Sequence, residues 1–325
     1  MKELVNEKNV LFITTKNLDY IRNVQELNLL QKNAGSVAVI GAPDSKYIVR
    51  LLKVYRQILS KNMKDVEVVF IGFAPQLVLP ILRRRFKRKK IIIDFFISLY
   101  DTMVCDRKKV REDSLLARIL HRIDKKTLEY CDYAITDTKS HRDFFCKEFD
   151  VTSEKIHVLY LEADKKIYYP RVVRKKKHFE DKFVVLYFGS ILPLQGVDIV
   201  IKAIEMLQGN KQIYFVIIGP VKNKWIGETV EYIDWLPQEQ LAQYIAMADL
   251  CLAGHFSGSI EKAKRTIPGK AYIYDAMNKR MVLGDSPANH ELFNENDKRY
   301  FVEMGNAPAL AKKILDIQGG KNAKE

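Results

Sequence analysis

Short apolar runs rich in Val, Ile and Phe alternate with helical patterns along nearly the whole chain, and this alternation constrains the fold most strongly. In the first half the runs include NVLFITT, SVAVIG, EVVFIGFA, KIIIDFFI, YAITDT and KIHVLYL. Runs this continuous are typical of parallel strands that are buried on both faces. Helical segments such as YIVRLLKVYRQIL separate them, so the sequence predicts an α/β fold built from successive βα units.

The alternation stops near the middle of the chain and then restarts. Tyr169-Pro170 and the charged run RVVRKKKHFEDK interrupt it, and FVVLYFG, YFVIIGP, EYIDWL, DLCLAG and MVLGD resume it. We therefore predict two Rossmann-like domains, residues 1–168 and 178–325, joined by a solvated linker. Two such domains are expected to leave a cleft between the carboxyl ends of their sheets, where ligands bind.

Charge and cysteine content narrow the choice of partners and compartment. The formal net charge of +14 favours anionic partners such as nucleotide phosphates, acidic lipid headgroups or nucleic acid. The four cysteines are not spaced as a metal knuckle or a redox pair, which predicts reduced thiols in a cytoplasmic protein. No stretch reaches the roughly 18 apolar residues that a membrane span requires, and no signal peptide is recognisable.

Two stretches in the second half are candidates for binding an anion. YFGSILPLQGVDIVIKAIEML predicts a strand, a turn bracketed by Gly189 and Gly196, and a helix; such a loop lets a phosphate approach the backbone, although an ordinary βα turn has the same pattern. Further on, EKAKRTIPGKAYIYDAM places cations before and at a helix start, where free amides already carry partial positive charge. These cations are Lys262, Lys264, Arg265 and Lys270.

Four segments, in matching order, resemble family-4 retaining glycosyltransferases of the GT-B fold. They are DYAITDTKSHRDFF, VLYLEADKKIYYP, FGSILPLQGVDIVIKA and IPGKAYIYDAMNKRMVLGDSPANHELF. The pattern is similar to a variant subgroup with F-P-L-x-G in the loop and K-A-x-R-x-I-P-x-K before the helix. The resemblance implies two Rossmann-like domains facing across a cleft, a UDP- or GDP-sugar as donor, and neither a metal nor another cofactor.

The chain departs from the family pattern at the donor site. The family commonly carries an Arg and a Lys in the glycine loop to neutralise the diphosphate, and Ser190 and Gln195 stand there instead. Its Glu-x7-Glu signature is also altered, because Ile267 and Asp275 occupy the two positions. We predict that the basic stretch supplies the missing charge, with a helix starting at Pro268 and Gly269. A solvated basic loop is the alternative.

Further donor contacts follow from the resemblance. Asp275 is predicted to accept hydrogen bonds from the ribose hydroxyls, whereas the alternative is an ordinary helix-surface pair with Lys279. Trp235 and Leu236 fall where the family binds the base, although a Trp is equally common in a core. His255 follows the run DLCLAG and is expected at the edge of the site.

The first half contributes candidate acceptor and membrane residues. Asp94 is a carboxylate inside an apolar strand and Asp101 lies in the following loop; both are candidate catalytic or acceptor groups, with a satisfied structural carboxylate as the alternative for Asp94. RRRFKRKK, residues Arg83–Lys90, carries seven cations in eight residues and predicts an anionic membrane surface as partner. A solvated face is the alternative, and nucleic acid is disfavoured because no stacking platform accompanies the run.

Together these features predict a retaining glycosyltransferase that moves a sugar from a nucleotide-sugar to a lipid-linked glycan in bacterial surface polysaccharide synthesis. It would be cytoplasmic and peripherally bound to the inner face of the cell membrane. Lys270, Asp94 and Asp101 are the candidate catalytic residues. Two alternatives remain, a nucleotide-sugar 2-epimerase and a catalytically silent GT-B subunit that scaffolds a partner transferase.

Overall fold

The computed structural model describes residues 2–44 and 46–320. It divides into two compact units, Met1–Leu161 and Glu162–Glu325, each containing one sheet. Residues 169–177, which separate the two predicted domains, lie within the second unit.

A six-stranded sheet forms the centre of the first unit, with all its strands parallel. The strands are β1 (Asn9–Ile13), β2 (Ser36–Ile40), β3 (Val68–Ile71), β4 (Lys90–Asp94), β5 (Tyr133–Thr136) and β6 (Ile156–Val158). Their order in the sheet is β2-β1-β3-β4-β5-β6, so the direction in which strands are added reverses between β1 and β3. Each falls in an apolar run of the sequence, and β3 is buried along its whole length, as parallel strands between two helical layers are.

Helices cover both faces of this sheet. The helices are α1 (Lys2–Val5), α2 (Ile21–Asn33), α3 (Tyr47–Ser60), α4 (Leu79–Leu82), α5 (Leu115–Tyr130) and α6 (Lys139–Phe149). One buried cluster packs α1 and α2 against the strands through Val5, Leu30 and Phe12. The other packs the four helices α3, α4, α5 and α6 against the strands through residues such as Val54 and Leu128. Residues Asp101–Asp106 form a π-helix, which the sequence did not predict.

The second unit has its own six-stranded parallel sheet in the order β12-β11-β10-β7-β8-β9. Its strands are β7 (Phe183–Phe188), β8 (Ile213–Ile218), β9 (Val230–Ile233), β10 (Leu250–Gly254), β11 (Met281–Gly284) and β12 (Arg299–Val302). This is the doubly wound order of a Rossmann fold, with the switch point between β7 and β10. The predicted α/β class with two Rossmann-like units is therefore confirmed.

Among residues 162–320, six α-helices accompany the second sheet, and the basic stretch contributes two of them rather than one. They are α7 (Val197–Met206), α8 (Gln238–Met247), α9 (Lys262–Arg265), α10 (Gly269–Ala276), α11 (Pro287–His290) and α12 (Ala307–Gln318). Pro268 stands immediately before α10, in an extended conformation. A proline cannot supply an amide to a preceding helical turn, so the chain breaks between α9 and α10 and restarts at Gly269.

Candidate functional site

Lys270 lies at the switch point of the second sheet, in the first turn of α10. Its side chain is buried, and its Nζ donates a hydrogen bond to Gln195 Oε1 at 2.7 Å. The hydroxyl of Tyr187 donates to the same oxygen at 2.6 Å, and Lys270 Nζ lies 3.9 Å from the centroid of the Tyr187 ring. Within the part of the chain that the structure describes, no carboxylate pairs with Lys270, and burial lowers its pKa well below the ordinary value.

The glycine loop approaches this lysine so closely that its glycines cannot carry side chains. Gly189 has a φ of +145°, and a Cβ there would lie 3.0 Å from Gln195 Oε1 and 3.2 Å from Lys270 Nζ. Gly196 has a φ of +63°, and a Cβ there would lie 2.5 Å from the backbone of Phe256. The loop after β7, the segment after β10 and the start of α10 therefore meet at one point, as expected for a phosphate-binding turn.

The other predicted cations occupy different surroundings. Lys264 Nζ pairs with Glu261 at 2.7 Å, while Lys262 is buried and Arg265 is half-buried. His255 is buried with its Nδ1 3.4 Å from the hydroxyl of Thr266. Lys270 contacts the glycine loop through Gln195, which makes it a candidate phosphate ligand. Ser190 is exposed on that loop, 3.5 Å from Gln195 Nε2.

The structure excludes the alternatives that the sequence left open for Asp275 and Trp235. Asp275 does not pair with Lys279, which donates instead to the carbonyl of Ala246; its Oδ1 accepts from Arg299 Nε at 3.2 Å. Trp235 is 74% exposed, so a core role for it is wrong. Leu236 beside it is half-buried. Ribose and base binding by these residues stay predictions.

At the carboxyl end of the first sheet, Asp94 forms a buried ion pair with Arg22. Arg22 Nη2 donates to Asp94 Oδ1 at 2.9 Å and Arg22 Nε donates to Oδ2 at 3.1 Å, a bidentate geometry. Arg22 Nη1 also donates to the carbonyl of Leu159. Both Asp94 oxygens are thus occupied, which favours the alternative of a structural carboxylate over a catalytic base.

Asp101 belongs to a second buried group at the same end. Its Oδ2 lies 3.9 Å from His141 Nε2, and His141 Nδ1 lies 2.7 Å from Asp137 Oδ1. Burial alone would raise the pKa of Asp137, but His141, the charge of Arg22 and a backbone hydrogen bond together outweigh burial, and the pKa is lowered. Neither His141 nor Asp137 was predicted from the sequence. The signal was present, since Asp137 follows β5 directly and His141 lies in the first turn of α6, where polar side chains collect in parallel sheets.

Aromatic side chains also gather at this end of the first sheet and were missed from sequence. The ring centroids of Tyr20 and Phe73 are 5.8 Å apart, and those of Phe73 and Phe96 are 6.2 Å apart. Lys16 Nζ lies 5.4 Å from the Phe73 centroid. These residues follow β1, β3 and β4, so they flank the point where the strand order changes. Half-buried aromatic faces beside polar groups are typical of small-molecule sites.

Glu26 is a buried carboxyl group beside the Arg22–Asp94 pair, and it makes stability depend on pH. Burial first, and then the charge of Asp94, raise the pKa of Glu26 well above its ordinary value. The folded state therefore retains a proton that the unfolded chain loses above about pH 4.3. Stability from this proton is present below that pH and is lost as the pH rises through the folded-state pKa.

Glu26→Gln is expected to remove this pH dependence. The free energy of unfolding of the variant should therefore increase relative to that of the parent as the pH rises. The gain should reach up to about 1.4 kcal/mol per pH unit within the titration range. Urea unfolding at pH 5, 7 and 9 measures it, with Glu205→Gln, at an exposed position of α7, as the control. Parallel pH curves for Glu26→Gln and the parent would contradict the assignment.

The basic run Arg83–Lys90 is partly structural. Arg83 lies 4.0 Å from the centroid of the Tyr130 ring, and Lys90 lies 4.9 Å from that of Tyr133. Arg85 Nε donates to the carbonyl of Ile58 at 3.3 Å and so satisfies the end of α3. The remaining exposed cations, Arg84, Lys87 and Arg88, point to solvent. Among the described residues no helix has the length and apolarity of a membrane span, and no His, Cys, Asp and Glu side chains group as a metal site.

Residues 182–318 match the family described as Glycosyl transferases group 1, which places the match on the second unit. No curated protein matches the chain. Solved structures share the fold at low identity. Sucrose-phosphate synthase from Thermosynechococcus elongatus has 13% identity and a TM-score of 0.68, with 97% of this chain and 90% of that chain covered. Anabaena Alr3699/HepE in complex with UDP has 14% identity and a TM-score of 0.66, covering 96% and 91%.

A glycosyltransferase from Rickettsia africae has 11% identity and a TM-score of 0.63, with 97% of this chain and 89% of that chain covered. These likenesses extend over both units, whereas the family match is confined to the second. Both sheets are parallel and doubly wound. The glycine loop lies at the switch point of the second sheet, within the residues that match the family. The chain has the GT-B fold, and residues 182–318 of its second unit match the Glycosyl transferases group 1 family, which together support a glycosyltransferase.

Proposed function

We propose that the chain is a retaining glycosyltransferase that moves a sugar from a UDP- or GDP-sugar to a lipid-linked glycan. The observation that carries the proposal is the buried Lys270 against the glycine loop, with no carboxylate among residues 2–44 and 46–320 to balance its charge. Burying a cation without a counter-ion is costly, and a bound diphosphate would remove that cost. Structures of Anabaena Alr3699/HepE contain UDP and UDP-glucose, which supports a uridine nucleotide as the first candidate.

The proposed chemistry depends on stabilising the departing diphosphate. Lys270 Nζ and the free amides at the start of α10 would face the negative charge that develops as the bond to the sugar breaks. Gln195 and Tyr187 hold the lysine side chain in place for this task. As the family resemblance implies, the donor phosphate itself takes the acceptor proton and no metal is required. The engagement of both Asp94 oxygens by Arg22 supports that choice over Asp94 as a base.

The acceptor would bind at the carboxyl end of the first sheet. Tyr20, Phe73 and Phe96 offer apolar ring faces against which a sugar ring can pack. Lys16, near Phe73, is suited to the phosphate of a lipid-linked saccharide. The lipid part is suggested by the basic run, because an anionic membrane surface attracts such a cluster. We place the chain in the cytoplasm, bound peripherally to the inner face of the cell membrane, in bacterial surface polysaccharide synthesis.

Transfer itself is the test of this function. The chain is incubated with radiolabelled UDP- and GDP-sugars and a lipid extract of bacterial membranes, and label in the organic phase is counted along with released nucleotide. We expect one donor to label the lipid phase. Interconversion of UDP-N-acetylglucosamine and its 2-epimer without an acceptor would show the epimerase alternative to be correct. Absence of both label and released nucleotide would support the silent subunit.

The exposed part of the basic run is expected to govern membrane attraction. Changing Arg84, Lys87 and Arg88 to Gln should weaken binding to vesicles of 30% phosphatidylglycerol about 100-fold, at about 1 kcal/mol per cation. These three are chosen because, within the described residues, their side chains contact neither an aromatic ring nor a backbone carbonyl. Arg83, Arg85 and Lys90 do make such contacts.

Co-sedimentation with the vesicles measures the effect of these changes. The matched control removes the same charge from exposed positions of the second unit, with Lys202, Lys222 and Lys312 changed to Gln. Equal losses in the two triple variants would mean that overall charge attracts the chain to the vesicles, with no contribution specific to the run.

A further inference from the structure

Helix α3 exposes a row of large apolar side chains. Ile48 is 73% exposed, Leu52 is 61% exposed and Leu59 is 59% exposed. Their spacing of four and seven residues places them on one side of the helix. The opposite side, with Val54 and Ile58, is buried against the sheet. Single exposed apolar residues are common on protein surfaces, but an aligned row marks an interaction surface.

Two further helices on the same face of the sheet also expose large apolar side chains. The buried cluster that contains α3 also contains α4 and α5, so these helices cover the same face of the sheet. The hydroxyl of Tyr55 donates to the carbonyl of Leu77, which ties α3 to the turn before α4. On α4 and the start of α5, large apolar side chains again face solvent. We call the whole set the apolar face: Ile48, Leu52, Leu59, Ile81, Leu115, Leu116 and Ile119.

Cations flank the apolar face. On α5 the exposed residues Arg118, Arg122 and Lys126 follow at intervals of four, in line with the apolar start of the helix. Lys126 also pairs with Glu129. Arg83 and Lys126 lie over the same ring, that of Tyr130, so the basic run adjoins this side of α5. Exposed apolar side chains bordered by Lys and Arg are the composition of surfaces that lie in an anionic membrane interface.

We propose that the apolar face inserts into the surface of an anionic bilayer, with the flanking cations on the lipid headgroups. This inference deepens the proposed function, because a lipid-linked acceptor is presented at such a surface. Helices α3 and α5 begin after the carboxyl ends of β2 and β4, so Ile48 and Leu115 lie toward the edge that carries Asp94 and the aromatic rings. A saccharide on an inserted lipid would thereby be delivered to the acceptor side of the first unit.

The test separates insertion from charge attraction. In one variant Ile48, Leu52 and Ile81 are changed to Ser, which leaves every cation in place. In the control variant the exposed apolar residues Val172, Met206 and Ile226 of the second unit are changed to Ser. Binding is measured by co-sedimentation with phosphatidylcholine vesicles that contain 0% or 30% phosphatidylglycerol. Thermal unfolding followed by circular dichroism confirms that both variants fold.

We expect the parent and the control to bind the anionic vesicles alike, and the apolar-face variant to bind on the order of 100-fold more weakly. Equal binding of all three proteins would overturn the proposal. Light scattering tests the competing occupant, a second copy of the chain. If the parent is a dimer that the apolar-face changes make monomeric, with vesicle binding kept, the face is a contact between copies and the proposal is wrong.

Nucleotide release from the donor in solution separates this inference from the proposed function. Loss of vesicle binding with unchanged nucleotide release supports the membrane surface. Vesicle binding that depends on the apolar face, in a chain that neither binds nor cleaves any nucleotide-sugar, would leave the surface established and reject the transferase function. Nucleotide release without any vesicle binding by the parent would reject the surface alone.

Discussion

Replacing Lys270 with Met is expected to slow nucleotide release from the donor roughly 30- to 1000-fold. Removing one donor from a preorganised site that stabilises developing negative charge costs about 2–4 kcal/mol, and each 1.4 kcal/mol or so is a factor of ten in rate. Met keeps an apolar stem of similar length beside Tyr187 and removes only the charge. The rate is measured at saturating donor, so that weaker binding does not enter the comparison.

Two further variants make the Lys270 result specific. Lys264→Met removes a cation of the same basic stretch whose partner is Glu261, and it should keep a near-parental rate. Gln195→Lys in the Lys270→Met background should recover part of the loss, because residue 195 contacts the position of the lost ammonium group. A Lys270→Met variant as fast as the parent would mean that Lys270 has no part in the chemistry.

Replacing Arg22 with Met is expected to lower the free energy of unfolding of the first unit by about 3–5 kcal/mol. The change leaves Asp94 buried without its bidentate partner and frees the carbonyl of Leu159. Removing one member of a buried ion pair is costly because the remaining charge has neither water nor a counter-ion.

Urea unfolding measures this loss, with an exposed pair as the matched control. Lys8→Met breaks the ion pair with Glu67 on the surface and should cost less than about 1 kcal/mol. Replacing Arg22 and Asp94 together with Met and Leu should restore much of the stability, since neither member of the pair is then left buried without the other. If Arg22→Met costs no more than Lys8→Met, the pair has little structural importance, and Asp94 becomes available again as a catalytic group.

The strands and the glycine loop could be predicted because their signals are local. A parallel strand buried on both faces appears as a continuous apolar run, and both sheets follow from such runs. Gly189 and Gly196 predicted a loop whose backbone a phosphate can approach, and both residues have the positive φ angles that favour glycine. The contact between Gln195 and Lys270 was not predicted; the family pattern indicated only that the basic stretch supplies a charge missing from the loop.

The remaining features depend on contacts between distant parts of the chain. Arg22 and Asp94 are 72 residues apart, and they meet because β1 and β4 end at the same edge of the sheet. The apolar run predicted that Asp94 is buried but did not identify its partner. Nothing in the sequence singled out Glu26, because the burial and the neighbouring Asp94 that raise its pKa also depend on such contacts. The apolar face likewise requires knowledge of which helices are adjacent.

Calorimetric titration of the parent and the Lys270→Met variant with UDP, and separately with GDP, tests the central claim most directly. We predict that one of the two nucleotides binds the parent. Burial lowers the pKa of Lys270 and a diphosphate beside it would raise that pKa, so binding should take up a proton at pH values between the two pKa values. Comparing buffers of different ionisation enthalpy reveals that proton. In Lys270→Met the proton uptake should vanish and the affinity should fall roughly 30- to 1000-fold. Equal affinity and equal proton uptake in the two proteins, or no binding of either nucleotide to the parent, would contradict the account.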